Sequence, residues 1–344
     1  KGKEYDSCTG CILYDGEYIN GEKNGKGKKY NDGGYLIFEG EFLNGKKWSG
    51  KGYEYNKVIY ELKDGKGIIV ESKYECEYSN GEKNGKGKEY DSHYKLRFEG
   101  EYLNGKWWNG KGYDQNENVS FEIKDGKGFI KEYEPIGGEL KFEGEYINGE
   151  RNGKGKEYSY DKLTFEGDFI NGKRNGKGKE YNCNDFLEFE GEYLNGKKHG
   201  KCKEYDFDGQ LIFEGEYLYG DKIKGKEYIN GNLEYEGEYL LDRKFNGKGY
   251  DKNGNIIYEL KNGNGTVKEY NNDRLIFEGE YSNGKRNGKG KEYQFYNSKN
   301  NLLFEGEYLN GKWWNGKGYD QNENVSFEIK DGKGLIKDMI IMVN

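Results

Sequence analysis

The residues that could perform chemistry are either scarce or repeated in this sequence. Only two histidines are present, His93 and His199, so general acid–base chemistry at neutral pH and a histidine-rich metal site have little material. Glutamate pairs such as Glu143 and Glu145 recur in almost every repeat, whereas a catalytic pair is needed only once. We therefore expect no catalytic residues, no metal site and no cofactor, and we interpret the chain as non-enzymatic.

Glycine–lysine runs and cysteines also fail to match known sites. The NGKGK runs lack the G-x4-G-K-[ST] pattern and the helical context of a phosphate-binding loop. Cys76 and Cys202 occupy positions that other repeats fill with glycine, while Cys8 and Cys11 form half of a zinc site at most. An odd, unpatterned set of five cysteines that also includes Cys183 indicates reduced thiols and a cytoplasmic protein.

One polar constellation resembles a calcium loop. Asp114, Asn116 and Asn118 match the opening of an EF-hand loop, and the pattern recurs in residues 251–255 and 320–324. All three segments lack the glycine that the sixth position requires, and no helices flank them. We interpret them as polar turns, with a weak calcium site as the alternative.

The overall composition excludes most other classes of protein. Glycine contributes 57 of 344 residues, hydrophobic residues only 32%, and alanine is absent, so neither a large apolar core nor long helices can form. The 34 Tyr, 17 Phe and 5 Trp far exceed what disordered chains carry, which leaves a repeat protein. The net charge of −7 comes from interleaved signs, so we expect no nucleic-acid partner, and no apolar run is long enough to span a membrane.

A motif of the form FEGEYxNGKxNGKGKEY repeats along the chain. Its period is about 22 residues, which is typical of a repeat array. Residues 98–128 recur unchanged at 304–334, which indicates tandem duplication. The fifteen motif starts are Tyr14, Phe38, Tyr60, Tyr74, Phe98, Phe121, Phe142, Phe165, Phe189, Phe213, Tyr235, Tyr258, Phe277, Phe304 and Phe327.

Each repeat is predicted to fold as a strand, a turn and a strand. In the unit that starts at Phe142, FEGEY and GKGKEY alternate with period two, and the Asn-Gly between them is turn chemistry. We expect a four-residue loop over 148–151, so that Glu145 faces Lys154 and residue 143 faces residue 156 on one surface. On the other surface Tyr146 would face Gly153, and residue 144 would face residue 155.

Four repeats are shorter, and each follows a loop that carries extra aromatic residues. The short repeats begin at residues 60, 121, 258 and 327, and an Asp-Gly or Asn-Gly pair predicts a two-residue turn in each. One interpretation is that the preceding aromatic residues fold back over the short hairpin, and the alternative is that they project as anchors for a partner. These residues are Trp48, Trp107, Trp108, Phe245, Trp313 and Trp314.

The pattern YxGxY/WxxGxxxGxG resembles the MORN repeat, named for membrane occupation and recognition nexus. Phe213, Gly215, Tyr217, Gly220 and Gly225 carry the resemblance in one unit, and it extends over nearly the whole chain. The usual Trp of the motif is mostly Tyr here, four repeats are truncated, and the unit at Phe213 has lost part of its loop. The resemblance implies an antiparallel sheet used for scaffolding, dimerisation or partner docking, and some relatives bind phosphoinositides.

These observations predict an all-β fold, an elongated array of hairpins that forms one continuous, twisted, open-ended antiparallel sheet. Residues 1–334 would form a single array of about fifteen hairpins, and residues 335–344 a cap or the start of a missing segment. The chain begins inside a repeat and without Met, so we expect it to be a fragment.

The predicted function is a non-enzymatic scaffold. A ribbon with one charged face leaves an aromatic–glycine face uncovered, and an apolar strip of that length predicts a binding surface. The partner would be another protein or a second copy; alternatives are a phosphoinositide-binding membrane module, the regulatory arm of an enzyme and a carbohydrate-binding array. We expect a cytoplasmic location, with cortical or cytoskeletal association as the alternative. The candidate binding residues are Tyr146, Phe169, Tyr193, Tyr217, Trp48, Trp107, Trp108, Trp313 and Trp314.

Overall fold

Thirty β-strands form the secondary structure of the described residues. The computed structural model describes residues 1–71, 73–134, 136–271, 274–296 and 299–334, and no helix occurs among them. Within each sheet, strands that are consecutive in sequence pair antiparallel, which confirms the predicted all-β class and its hairpins. Residues 335–344, the predicted cap, lie outside the described residues.

The chain divides into two compact units, Lys1–Lys173 and Arg174–Asn344. The prediction of a single array over 1–334 stays a prediction. The first unit contains β1 (Gly2–Tyr5), β2 (Ile12–Ile19), β3 (Glu22–Tyr30), β4 (Leu36–Leu43), β5 (Lys46–Glu54), β6 (Lys57–Leu62), β7 (Gly67–Glu71), β8 (Tyr74–Ser79), β9 (Glu82–Tyr90), β10 (Leu96–Leu103), β11 (Lys106–Tyr113), β12 (Val119–Ile123), β13 (Gly128–Tyr133), β14 (Leu140–Ile147), β15 (Glu150–Ser159) and β16 (Lys162–Ile170).

The second unit contains the remaining fourteen strands, the first of which starts one residue before it. They are β17 (Lys173–Tyr181), β18 (Leu187–Leu194), β19 (Lys197–Tyr205), β20 (Leu211–Leu218), β21 (Asp221–Ile229), β22 (Asn232–Leu240), β23 (Arg243–Tyr250), β24 (Ile256–Leu260), β25 (Gly265–Asn271), β26 (Arg274–Ser282), β27 (Lys285–Tyr296), β28 (Lys299–Leu309), β29 (Lys312–Tyr319) and β30 (Val325–Ile329).

The sheet is not continuous as predicted, because strand pairing is interrupted at the short hairpins. The breaks fall between β6 and β7, between β12 and β13, and between β24 and β25. At each break only an isolated bridge closes the turn, as between Lys63 and Lys66. A two-residue Asp-Gly or Asn-Gly turn therefore forms, but the strands that it joins diverge immediately.

The register of the long hairpins agrees with the prediction at their centre and differs at the turn. Glu143 lies opposite Lys156 and Gly144 opposite Gly155, as expected. The four-residue loop over 148–151 is wrong: Asn148 and Gly149 alone form the turn, both with positive φ, and residue 147 pairs with residue 150. This is the backbone that Asn-Gly favours between two twisted strands.

A β-bulge follows the turn on the second strand of the hairpin. Tyr146 pairs with Arg151 rather than with Gly153, so Asn152, Gly153 and Lys154 together face Glu145. In equivalent hairpins the second Glu of FEGEY accepts the backbone N–H that follows the bulge glycine, for example Lys86 N to Glu77 at 2.8 Å. A Glu that recurs in the motif therefore holds the bulge. Because of the turn and the bulge, the motif Tyr lies opposite a different residue from the one predicted.

Alternation along the strands gives each hairpin two different faces. In β14 the buried positions are Phe142, Gly144 and Tyr146, whereas Glu143 and Glu145 lie on the opposite side and are more exposed. We call the side with the aromatic rings and glycines the inner face and the side with the Glu and Lys rows the outer face. Side chains of successive residues must alternate in this way because the strand is pleated.

Candidate interaction surfaces

On the inner face, aromatic rings lie directly on glycine backbone. A Cβ placed on Gly155 would lie 2.6 Å from Cζ of Phe142, and one on Gly144 would lie 2.7 Å from the same atom. Phe142 has no exposed surface, and Tyr146 and Phe169 pack against it edge to face at 6.1 and 5.3 Å between ring centroids. Aromatic rings thus pack on the glycine columns, and at Gly144 and Gly155 an added Cβ would overlap the ring.

A cationic side chain covers the ring of Phe142 from the side opposite the glycines. The guanidinium of Arg151, the residue that pairs with Tyr146, lies 4.1 Å from the centroid of Phe142. It donates two hydrogen bonds to Glu132, at 2.7 and 2.8 Å, and a third to Glu157 at 2.9 Å. Tyr146 Oη also donates to Glu132. The ring of Phe142 is therefore buried between backbone and a hydrogen-bonded ion pair.

The electrostatics of this cap favour the charged forms. Burial raises the pKa of Glu132, but the hydrogen bonds and charge of Arg151 outweigh it and hold the pKa below its ordinary value. For Arg151, burial lowers the pKa, and the hydrogen bonds and charge of Glu132 reverse the shift and raise it. Both partners thus remain ionised at neutral pH, and neither is poised to transfer a proton.

The same cap recurs in both units. Arg286 repeats the double hydrogen bond, to Glu269, and lies 4.2 Å from the centroid of Phe277. Lysines replace arginine in other hairpins, where Lys198 lies 4.0 Å from Phe189 and Lys222 lies 4.1 Å from Phe213. The repeated arrangement marks the inner face as the hydrophobic core of the array.

The expectation that the aromatic–glycine face is uncovered is wrong. Tyr146, Phe169, Tyr193 and Tyr217 are 9%, 2%, 4% and 7% exposed. Sequence alternation placed them correctly on one face, but it could not show the basic residues folding over them. Their role in partner binding stays a prediction, and it would require the caps to open.

Two tryptophans replace the cationic cap. Trp107 pairs with Tyr102, the register position of Arg151, and stacks on Phe98 at 4.8 Å between centroids. Trp313 stacks on Phe304 at 4.7 Å and donates a hydrogen bond to Glu292 at 2.8 Å. An indole covers a phenyl ring as well as a guanidinium does, and these two indoles belong to the core of their hairpins.

The other tryptophans fold over the two-residue turns of the short hairpins. Trp108 covers Gly126, where an added Cβ would lie 2.6 Å from Cζ3 of the indole. The same corner is held by backbone bonds from Gly126 N to Trp108 O, at 2.8 Å, and from Gly149 N to Gly126 O, at 2.9 Å. Trp48 and Trp314 lie over their own short-hairpin glycines, at 2.7 and 3.0 Å by the same measure. Of the two interpretations of these loops, the packing geometry favours folding back, and partner binding stays a prediction.

The segments that resemble calcium loops are hydrogen-bonded turns. Asp114 Oδ1 accepts the backbone N–H groups of Asn116 and Asn118, at 2.8 and 2.9 Å. The same geometry holds at Asp251 and Asp320. These backbone hydrogen bonds lower the pKa of Asp114, and the bond from Asn118 makes the largest contribution. Within the described residues no group of three or more His, Cys, Asp or Glu is placed to hold a metal ion.

The cysteines at glycine positions are buried thiols. Cys202 pairs with Gly191 and Gly215 in the glycine column, and Cys76 pairs with Gly87. Burial raises the pKa of Cys76 to about 11 and that of Cys202 to about 12. A neutral, buried thiol is a poor nucleophile, so a small side chain is what these positions require.

The outer face presents ordered rows of opposite charge. Lys88 contacts Glu99 at 2.9 Å, and Lys291 contacts Glu305 at 3.1 Å. Two shallow grooves follow these rows over glycine floors, one of about 430 Å³ around Gly87 and one of about 440 Å³ around Gly290. Exposed pairs of this kind contribute at most about 1 kcal/mol each. These pairs therefore contribute little to the stability of the fold.

Apolar residues border these charged rows at both margins of the outer face. Next to the two-residue turns of the long hairpins, the residue after the second aromatic residue of the motif is exposed in repeat after repeat. Its exposure is 49% at Ile170, 47% at Leu218 and 52% at Leu240. The remaining members are Ile19, Leu43, Leu103, Ile147 and Leu309.

A second apolar row lies at the opposite margin, and sequence reasoning missed it. The Tyr that ends each KEY segment pairs with the Leu that precedes the next FEGEY, so both point to the same side. Tyr205 and Tyr228 are half-buried and donate hydrogen bonds to Glu190 and Glu214 on the outer face, at 2.8 and 2.7 Å. The Tyr–Leu strip is defined as the pairs Tyr181–Leu187, Tyr205–Leu211 and Tyr228–Leu233 of the second unit. The signal that could have found it is the recurrence of Tyr and Leu at fixed distances from the glycines.

The comparison with protein families agrees with this repeated hairpin geometry. The MORN repeat profile matches residues 14–35, 74–92, 142–164, 165–184, 189–211 and 277–294. This chain carries MORN repeats. Each of the six matched segments contains the inner-face ring and most of the turn and bulge described above. The MORN pattern therefore includes the glycines on which the aromatic rings pack.

Other comparisons add little to the MORN assignment. Among solved structures, the chain is similar to "Crystal Structure of TcdB2-TccC3-Cdc42", at 12% identity over 95% of this chain and 21% of that chain, with a TM-score of 0.16. It is similar to "Crystal Structure of TcdB2-TccC3" at 11% identity over 96% and 19%, with a TM-score of 0.12. The MORN-repeat chain thus spans about a fifth of each, and the low TM-scores carry no argument. No curated protein matches the sequence.

Proposed function

We propose that this MORN-repeat chain is a non-enzymatic scaffold that binds another protein or a second copy of itself. MORN repeats are typical of interaction modules, and the hairpin array supplies a regular surface. The docking surface in this proposal is the outer face, because the aromatic rings of the inner face are already covered by their own caps.

The observation that carries the proposal is the repeated exposure of apolar side chains along the margins of the outer face. Leu218 and Leu240 are each about half exposed on successive hairpins, with the charged rows beside them. Contiguous apolar surface rimmed by polar residues marks interaction sites in soluble proteins. Charged rows would add orientation and selectivity to such a site.

The ionisable groups support a non-enzymatic role. The half-buried carboxylates of the inner face form ion pairs that recur from hairpin to hairpin, as at Glu132 and Glu269. His93 is exposed in a connecting turn, where its side chain contacts Ser92 at 3.4 Å. The carboxylates are thus held in repeated ion pairs, and the Ser92–His93 contact lies in an exposed turn.

The experiment is affinity purification of the full chain with mass spectrometry, combined with sedimentation velocity. The double variant Leu218→Ser/Leu240→Ser removes two exposed apolar groups, and we expect at least a tenfold loss of bound partner or of association. The control is Tyr55→Ser, since Tyr55 is 90% exposed at a connecting turn away from this row. A strictly monomeric wild-type chain that recovers no protein would contradict the proposal.

Phosphoinositide binding is the second candidate function. It would require lysines that are available to headgroup phosphates, whereas outer-face lysines such as Lys28 already contact carboxylates, at 3.0 Å from Glu39. The described residues contain no helix that is long and apolar enough to cross a bilayer. Sedimentation with phosphoinositide vesicles at two salt concentrations separates this candidate from protein binding.

A further inference from the structure

The Tyr–Leu strip has the spacing of one particular kind of ligand. Its rings recur once per hairpin, on every second strand, and strands lie about 4.8 Å apart, so adjacent rings are separated by about 9.6 Å. A polyproline II helix rises about 3.1 Å per residue and repeats every three residues, or about 9.3 Å. A proline-rich segment that runs across the strands would therefore present the same side to each successive ring.

The rings of the strip are held in place before any ligand binds. Tyr205 and Tyr228 use their hydroxyl groups as donors to Glu190 and Glu214, at 2.8 and 2.7 Å. Burial makes the largest contribution and these hydrogen bonds the next largest, and together they raise the pKa of both phenols to about 12. The hydroxyl groups therefore stay neutral and continue to donate their hydrogen bonds. Fixed aromatic side chains lose little entropy on binding, as does a proline-rich peptide.

The chemistry of the strip also fits such a ligand. Each half-buried Tyr is paired with a half-buried Leu, as in Tyr205–Leu211 and Tyr228–Leu233, so ring faces alternate with aliphatic side chains. Domains that recognise polyproline II segments use grooves lined with aromatic residues, into which proline rings pack. A carboxylate lies beside each of these two rings, Glu190 beside Tyr205 and Glu214 beside Tyr228.

We propose that the Tyr–Leu strip of the second unit is a docking site for a proline-rich segment in the polyproline II conformation. This inference rests on the proposed scaffold function and names the chemistry of its partner. Tyr181, Tyr205 and Tyr228 span about 19 Å, which corresponds to about seven residues of such a segment.

The test is fluorescence anisotropy of the full chain with a labelled nine-residue peptide of three Pro-Pro-Leu units. We expect saturable binding, and at least tenfold weaker binding of a control peptide in which the first proline of each unit is Gly. A six-residue peptide of two units reaches fewer rings and is also expected to bind at least tenfold more weakly.

Variants of the chain separate ring contact from folding. Tyr205→Ser should weaken binding at least tenfold, whereas Tyr205→Phe keeps the ring and should stay within about threefold, since only the bond to Glu190 is lost. Phe129→Ser removes a ring that is 55% exposed in the first unit and should leave binding unchanged. Circular dichroism and amide exchange of β19 and β20 verify that the Tyr205 variants remain folded.

The outcomes distinguish this inference from the scaffold proposal. The proposal of a proline-rich ligand would be overturned if the nine-residue peptide showed no saturable binding. It would also be overturned if the wild-type chain and a folded Tyr205→Ser variant bound the peptide equally. If the same preparation still self-associates or retains a protein partner, the scaffold proposal stands without it.

Discussion

At individual positions, the role of glycine in this protein is to let an aromatic ring pack directly on the backbone. Gly144 and Gly155 lie opposite each other in neighbouring strands, and the ring of Phe142 lies over both. Neither glycine has a left-handed backbone conformation, so these positions need glycine only because it has no side chain. The ring in turn removes the glycine backbone from water, so that the smallest and one of the largest side chains form one packing unit.

The first prediction concerns this contact. Gly155→Ala should lower the free energy of unfolding by about 1–3 kcal/mol, because the added methyl overpacks the site against the fully buried Phe142. The measurement is amide exchange of β14 and β15. The control is Gly33→Ala, where the nearest atoms belong to the exposed ring of Tyr35 at 3.3 Å, and this ring can move away. Equal protection in both variants would show that the site tolerates a Cβ.

Within each long hairpin, a side chain of the second strand packs on an aromatic ring of the first strand. Every long hairpin places one residue opposite the motif Tyr, and that residue covers the Phe of the same hairpin. Arg151 does so with a guanidinium at 4.1 Å and Trp107 with an indole at 4.8 Å. Lys198 caps Phe189 at 4.0 Å with a side chain that is not flat, so what the caps share is the length needed to reach over the ring.

The second prediction follows from this equivalence. Trp107→Ala should destabilise β10–β12 by about 3 kcal/mol, because it exposes Phe98 and removes stacking. Trp107→Arg should cost about 1 kcal/mol or less, since the guanidinium can lie over the same ring. Local exchange rates of these strands measure both effects. An arginine variant as unstable as the alanine variant would mean that the indole itself is required.

At the scale of the molecule, half-buried carboxylates link the stability of the fold to pH. Glu132 in the first unit and Glu204 in the second both have pKa values held below the ordinary value of 4.5. In each, burial acts to raise the pKa, and hydrogen bonds and nearby cations outweigh it. Glu234 beside Lys244 shows the opposite direction, because burial dominates there.

The third prediction gives the sign of this linkage. A carboxylate whose folded pKa is depressed stabilises the fold above its unfolded pKa, and this contribution is lost as pH falls through the folded value. We therefore expect stability to be constant from pH 7 to about 5 and to fall below about pH 4.5. Urea unfolding as a function of pH measures it.

A matched variant identifies the group responsible. Glu132→Gln should be less stable at pH 7, because Arg151 loses its ionised partner, and should show a smaller fall on acidification. Lys154→Gln removes an exposed partner of Asp168 and should leave the pH profile nearly unchanged. Identical acid profiles for Glu132→Gln and the wild-type chain would refute the assignment.

The sequence by itself determined the fold class, the strand–turn–strand unit and the central register. Period-two alternation put Phe142 and Tyr146 on one face and Glu143 on the other, and Asn-Gly fixed the turn position. Glycine at alternate positions excluded helices. These features are local, because each depends on residues within one hairpin and on the pleat of the strand.

Only the tertiary structure decided where the loop residues lie and which face is available to a partner. A bulge shifted Tyr146 from Gly153 to Arg151, and that shift placed a cation over the ring of Phe142. Burial of the ring depends on Glu132, nineteen residues before Arg151 and on another strand. Such contacts depend on how strands meet in space, so alternation along one strand could place the rings on a face but could not determine that this face is closed.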